Sequence, residues 1–220
     1  TSPFNGYIGG IYVYGRALTK SEIDSLYKLG ADKLFVEYTM IRNPLVSGQL
    51  YDTSGRLNHG TVINMPIDMS GELIGTSLIF KSGQHVIMPA GVFPQNDFMV
   101  CGWVKPYVTN STLTVFDCGD INLKFQVSGE QFYVVGCNTA SGELSTITSL
   151  SKLYAQIPYH FVVAKTQTNG LEIYVNKELR ARNQTFSGEV QIRNLTNYLG
   201  RDQSNLQWFS GEIDQYRVYR

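Results

Sequence analysis

An all-β fold, an antiparallel sandwich with one short helix near the N-terminus, is what this sequence predicts, and three observations carry the prediction. From residue 34 onward, short runs rich in Val, Ile, Phe and Tyr follow one another, separated by Gly, Asn and Ser turn signals. Several runs alternate strictly: Leu171, Ile173 and Val175 face one way, Glu172 and Tyr174 the other. No strand–helix–strand alternation of the kind that builds a parallel sheet is present.

The chain opens on FNGYIGGIYVY (4–14), which nearly repeats FSGEIDQYRVY (209–219). Phe4 matches Phe209, Gly6 matches Gly211, Ile8 matches Ile213, and Val13 and Tyr14 match Val218 and Tyr219. A helix follows in ALTKSEIDSLYKLG, where Thr19 caps, Glu22 completes a capping box and Leu18 and Ile23 have staple spacing. Ile23, Leu26 and Tyr27 line its buried face, and Gly30 stops it. Strand runs then occupy 34–40, 77–80, 85–88, 98–106, 112–118, 123–128, 131–137, 160–166, 171–176, 189–193 and 212–219. TNG (168–170) and VSGEQ (127–131) read as hairpin turns, and Trp103, inside an apolar run, reads as core.

At 220 residues and 43 % apolar, the chain can bury one sizeable core. Lys plus Arg and Asp plus Glu number 18 each, so no overall charge draws it to nucleic acid or an anionic membrane. No run is long enough to insert across a bilayer, and no basic-then-apolar leader opens the chain. Three glycosylation triplets, at Asn110, Asn183 and Asn194, together with the 16 % charged content, point to an extracellular or cell-surface protein. Cys118 and Cys137 lie in neighbouring predicted strands, so a disulfide between them and a pair of buried free thiols are both open readings. Cys101 leaves the count odd.

An ordered set of motifs resembles one family. YDTSGRLNHGTV (51–62) is similar to an early Asp-x-Ser-Gly-x-x-Asn-His-Gly-Thr motif. SLIFKSGQHVIMP (77–89), NDFMVCGWVKPY (96–107), YHFVVAKTQTNGLEIYVNKELRA (159–181) and the closing YLGRDQSNLQWFSGEIDQYRVYR (198–220) follow in family order. Tyr159 stands where the family usually has Trp, and Lys177 where it usually has Gly. The set resembles the laminin-G-like, concanavalin-A-like jelly-roll sandwich, and the resemblance covers residues 34–220. The family's ending normally runs on into Arg-Ala-Leu-(Ser/Thr)-x-x-Glu-Ile and a short helix. YGRALTKSEIDSLYKLG (14–30) has that text at the opposite end of the chain. Residues 1–33 therefore resemble the tail of a preceding repeat, or an exchanged strand, ahead of a sandwich at 34–220.

The resemblance frames three chemistries. Some glycoside hydrolases share this sandwich, with an active strand reading Glu-x-Asp-x-x-Glu. EIDQYR (212–217) offers Glu212 and Asp214 but puts Arg217 where the acid/base carboxylate belongs, so no enzyme is expected. Sandwiches of this kind hold structural calcium, for which Asp52, Asn58 and Asp214 are the candidate oxygen ligands. The competing reading makes Asp52 an Asx turn with Ser54 and Gly55 and needs no metal. Exposed aromatics on a sheet face stack on sugars, and Trp208, Tyr107 and Tyr133 are the candidates, with cross-strand packing as their alternative role. The expected function is a non-catalytic structural or adhesive module. Its partners are neighbouring copies or tandem domains of the same protein, and lectin-like glycan binding is the alternative.

Overall fold

The computed structural model describes residues 16–17, 19–21, 33–40, 45–46, 48–64, 68–71, 73, 76–94, 97–118, 123–137, 144–186 and 196–220. The strand expected at 4–14, the one at 189–193 and Asn194 lie outside them. The chain divides into two compact units, Thr1–Lys33 and Leu34–Arg220. In the first, Lys20 and Ser21 are helical directly after Thr19, where the sequence sets the cap; the remainder of that helix lies outside the described residues.

The described residues of the second unit form strands and turns, with no helix among them. Its strands are β1 Leu34–Tyr38, β2 Leu45–Val46, β3 Gln49–Leu50, β4 Gly60–Ile63, β5 Asp68–Gly71, β6 Ser77–Phe80 and β7 His85–Met88. β8 Phe98–Pro106, β9 Leu113–Cys118, β10 Leu123–Ser128, β11 Gln131–Cys137 and β12 Leu144–Thr148 follow. β13 Tyr159–Thr166, β14 Gly170–Val175, β15 Glu178–Asn183, β16 Asn197–Leu199 and β17 Gly211–Tyr219 complete the order. One antiparallel sheet runs β15-β14-β13-β8-β17-β6-β5; the other runs β12-β11-β10-β9-β16-β7-β4-β3-β2. The closing strand β17 is central to the first sheet. Along one side it pairs with β8; along the other, Gly211–Ile213 pair with β6 and Tyr216–Tyr219 with β1.

Alternation decides which side chains meet between the sheets. In β13, Tyr159, Phe161 and Val163 are buried while His160, Val162 and Ala164 face outward, as a two-residue period requires. Phe116 of β9 sits among Phe93, Phe125, Phe161 and Tyr216, with ring centroids 5.6–6.5 Å away, so aromatics from both sheets interlock. Both expected hairpins form. Ser128 pairs with Gln131 around Gly129 and Glu130, which take φ of 57° and 62°, a tight turn matched to strand twist. Thr166 pairs with Gly170 around the second.

Two expectations change. Trp103 is not core: Val100, Gly102 and Val104 point inward along β8, and Trp103 lies half-buried on the outward face against His160, 5.2 Å away. Nor do Cys118 and Cys137 bridge. β10 lies between β9 and β11, which puts the two backbones about 9–10 Å apart, beyond the span of about 4.4–6.8 Å that a disulfide closes. Cys118 is a free, buried thiol, as is Cys101.

Candidate functional site

The DTSGRLNHG loop (52–60) hangs from the outer edge of β1. Asp52 Oδ1 accepts the amide hydrogens of Glu37 and Ser54, both at 2.9 Å. Its Oδ2 accepts the Ser54 hydroxyl at 2.8 Å and the Asn58 amide at 2.9 Å. A carboxylate offers about four acceptor positions, and here they are all taken. Asn58 spends its side-chain NH2 on the Phe35 carbonyl at 2.7 Å, and its own carbonyl accepts the Tyr38 hydroxyl at 2.7 Å. Asp214 is fully buried on β17 opposite Trp103, with Oδ1 accepting the Gln215 amide at 2.7 Å. Among the described residues, no group of three or more His, Cys, Asp or Glu side chains is placed to hold a metal ion. Of the candidate calcium ligands, Asp52 and Asn58 knit a loop to an edge strand, so an ion there would have to displace their hydrogen bonds.

Glu212 and Asp214 share the outward face of β17, two residues apart. Glu212 is 3 % exposed and receives hydrogen bonds from Lys105 Nζ at 2.7 Å, Ser77 Oγ at 2.7 Å and Tyr107 Oη at 3.2 Å. Burial alone would raise its pKa, but those three donors outweigh it and hold the carboxyl below its ordinary value. A general acid needs the opposite shift. Arg217, in the place of the acid/base, is paired with Glu37 at 2.7 Å. The same contacts place Tyr107 in this group: its hydroxyl braces Glu212, and Lys105 Nζ lies 6.0 Å from its ring.

Trp208 has a richer setting. The chain leaves β16 at Tyr198–Leu199 and returns to β17 through a loop that turns back over the outward face of the second sheet. Arg201 and Trp208 pair across it as an isolated bridge. Asp202 organises the turn: Oδ1 accepts the amides of Leu206 and Gln207, each at 3.0 Å, and Oδ2 accepts the Ser204 hydroxyl. The loop is tied down by Gly200 N–H to Val115 O and Phe209 N–H to Gly200 O, both 2.8 Å. Gln203 adds a bond from its amide to Asp117 Oδ2 at 3.0 Å.

The result is a cluster of four side chains from β7, β16 and the loop. His85 lies edge-on to Tyr198 at 5.6 Å and to Trp208 at 5.4 Å. The Arg201 guanidinium stands 4.0 Å from the Tyr198 ring centre and 5.5 Å from that of Trp208. Burial first, then the Arg201 charge, push the His85 pKa down to about 4, so its ring is neutral at pH 7 and Arg201 is the cation of the cluster. Tyr198, Arg201 and Trp208 are all half-buried and reach solvent. Beside them Gln126 donates to Thr114 Oγ1 at 2.8 Å and to Gln207, and it faces Tyr133 across the β10–β11 pair. Trp208 and Tyr133 thus share one face, whereas Tyr107 belongs to the Glu212 group. His85, Tyr198 and Arg201 carried no signal in the sequence, since β7 and β16 become neighbours only through the sheet order.

Asn110 is exposed in the loop after β8. Asn183, half-buried at the end of β15, accepts the Thr185 amide at 3.0 Å and hydroxyl at 2.7 Å through Oδ1. No helix among the described residues is long and apolar enough to cross a membrane.

The fold has solved counterparts. Domain 4 of an extracellular GH43 arabinanase from Geobacillus stearothermophilus, in complex with arabinotriose, superposes with a TM-score of 0.65 at 22 % identity, covering 86 % of this chain and 92 % of that one. The receptor-binding domain of botulinum neurotoxin mosaic serotype C/D gives a TM-score of 0.64 at 16 % identity, covering 86 % of this chain and 48 % of that one. The binding domain of Paraclostridial Mosquitocidal Protein 1 gives 0.63 at 13 %, covering 86 % and 49 %. The chain spans about half the length of these two toxin domains, and at such identities the likeness is one of fold. No curated protein sequence matches the chain. Residues 80–220 match the concanavalin A-like lectin/glucanases superfamily, and the chain belongs to it.

Proposed function

We propose that this chain is a non-catalytic, glycan-binding adhesive module of an extracellular protein, with its site on the outward face of the β9–β16–β7 sheet. The observation that carries the reading is the braced loop after β16, which fixes Trp208 beside Tyr198 and Arg201 on a half-exposed face, with the half-buried Gln207 held beside them by the buried Gln126. Amphipathic rings beside a guanidinium and a side-chain amide suit a sugar, whose faces are apolar and whose rim is hydroxylated. A solved counterpart in complex with arabinotriose supports the class of ligand. The bound Glu212 and the Arg217–Glu37 pair argue against hydrolysis.

The test is a glycan array probed with the chain and with Trp208→Ala, followed by mass analysis of the recovered ligand. Binding by the native chain, at least tenfold weaker in the variant, with the oligosaccharide recovered intact, is the expected result. No binding by either protein, or cleaved product, overturns the reading.

A second reading concerns how modules join. The repetition of FSGEIDQYRVY as FNGYIGGIYVY favours tandem or strand-exchanged copies, since added strands gain affinity from main-chain hydrogen bonds. Light scattering of the intact chain tests the exchange version: a monodisperse monomer at all concentrations rules it out.

A further inference from the structure

We propose that the ligand read at the Trp208 face is an acidic saccharide, its carboxylate or sulfate held end-on by Arg201; the proposal rests on the glycan-binding reading of this face. Arg201 is a half-buried cation whose hydrogen bonds go only to neutral acceptors: Nε to the Asp202 carbonyl at 3.1 Å and Nη1 to Asn205 Oδ1 at 2.9 Å. Among the described residues, no carboxylate pairs with it. The neighbouring Asp202 carboxylate is taken up by Ser204, Leu206 and Gln207 within its own loop. Asp117, on the same face, accepts from the Gln203 amide.

Guanidinium carries five N–H donors in one plane. With Nε and one Nη1 hydrogen spent, one hydrogen of Nη1 and both of Nη2 are left to donate. A carboxylate or sulfate that meets the two Nη atoms end-on makes two parallel hydrogen bonds. The Tyr198 and Trp208 rings flank the guanidinium, and its two bonds to the loop fix its plane, so little side-chain entropy is lost when an anion docks. Stacking also changes what the aromatic cluster offers. The cation stands against the Tyr198 ring, so the outward chemistry of the cluster combines the Trp208 indole with the guanidinium edge. Lys124, half-buried and paired across the strands with Asp117, is a second cation on this face. The chain has no net charge to attract anions in general, so the preference is local to this site.

The experiment is calorimetric titration of the intact chain with two sets of oligosaccharides. The acidic set is trigalacturonate, sialyllactose and a heparin tetrasaccharide; the neutral set is arabinotriose, lactose and cellotriose. Each is repeated with Arg201→Gln, Arg201→Lys and Trp208→Ala, with melting curves as the check on folding. One or more acidic ligands should bind at least tenfold more tightly than every neutral one. Arg201→Gln should cost that ligand about tenfold to a hundredfold, and neutral ligands less than threefold, because charged hydrogen bonds are lost for the acid alone. Arg201→Lys, which keeps the charge and loses the fork, should fall between. The ligand that binds identifies the acid: uronate, sialate or sulfate ester.

Neutral ligands bound as tightly as acidic ones, with loss in Trp208→Ala and none in Arg201→Gln, overturn this inference and leave the glycan reading standing. Absence of binding to both sets overturns both. Should the Gln variant not fold, Arg201→Lys and the salt dependence of the native chain decide: acidic-ligand binding that is insensitive to both refutes the proposal.

Discussion

Asp52 Oδ1 accepts the Glu37 amide, and the next residue, Thr53, donates its own amide to the Glu37 carbonyl, each at 2.9 Å. The relationship extends along the whole outer edge of β1. Arg56 Nε bonds the Leu34 carbonyl at 2.7 Å, and Asn58 Nδ2 bonds that of Phe35 at 2.7 Å. An exposed strand edge is a template for pairing with other chains, and this loop closes it with side chains in place of another strand. Any strand donated by a neighbouring copy therefore needs a different edge.

Asp52→Ala is expected to destabilise the fold by about 2–4 kcal/mol, since several amide donors lose their acceptor and Asp52 itself is only 6 % exposed. Urea unfolding of native and variant chains measures it. A chelator should leave the native melting temperature unchanged, because the loop's stability comes from hydrogen bonds. A chelator-induced fall of several degrees would restore the calcium assignment.

Gly60, in the same motif, is a question of space. A Cβ there would overlap Val86 Cγ1 and come within 3.2 Å of the Tyr38 hydroxyl. Tyr38 is fully buried and tied to the Asn58 carbonyl at 2.7 Å, so neither neighbour moves freely. Gly60→Ala should cost about 1–3 kcal/mol by overpacking. A midpoint shift in urea with an unchanged slope is the expected signature.

These two residues also mark how far the sequence could be read. The DTSGRLNHGT motif was legible as a turn-forming segment, and its Asx-turn reading held. What it braces was not legible, because β1 lies fifteen residues earlier and only the fold brings the two together. The strands and their inward faces were legible from a two-residue period, as in β13 and β14. Trp103 was misplaced because a run with Val100, Cys101 and Val104 looks uniformly apolar, and the period that turns Trp103 outward is blurred by Gly102. The cysteines show the same limit. Proximity in sequence suggested neighbours, whereas the sheet order put β10 between them. Sheet order likewise created the His85–Tyr198–Arg201–Trp208 cluster, of which composition singled out only Trp208.

The buried thiols give a chemical check on that strand order. Burial is the main cause that pushes Cys101 up to about 11, and burial pushes Cys118 well above its ordinary value. Thiolate, the reactive form, is scarce for both at neutral pH. Alkylation in native buffer should label neither Cys101 nor Cys118 over hours, and both should react within minutes in concentrated urea. Peptide mapping without reductant should find no link between Cys118 and Cys137; finding one would refute the β9–β10–β11 order.

Glu212 makes the acid stability of the sandwich predictable in sign. Its carboxyl titrates below the ordinary value in the folded chain because Lys105, Ser77 and Tyr107 donate to the ionised form, against the raising effect of burial. The unfolded chain therefore takes up the proton first. Stability from this group is complete above the unfolded value of about 4.3 and is lost as pH falls through the lower folded value. Glu212→Gln cannot ionise, so its acid limb should be shallower than that of the native chain. At pH 7 the variant should be weaker by about 1–3 kcal/mol, the cost of leaving the Lys105 ammonium without its charged partner. Melting temperatures from pH 3 to 7 for the two proteins test this. Parallel curves would mean that the Glu212 pKa is the same folded and unfolded, and that the three donors do not act on its charged form.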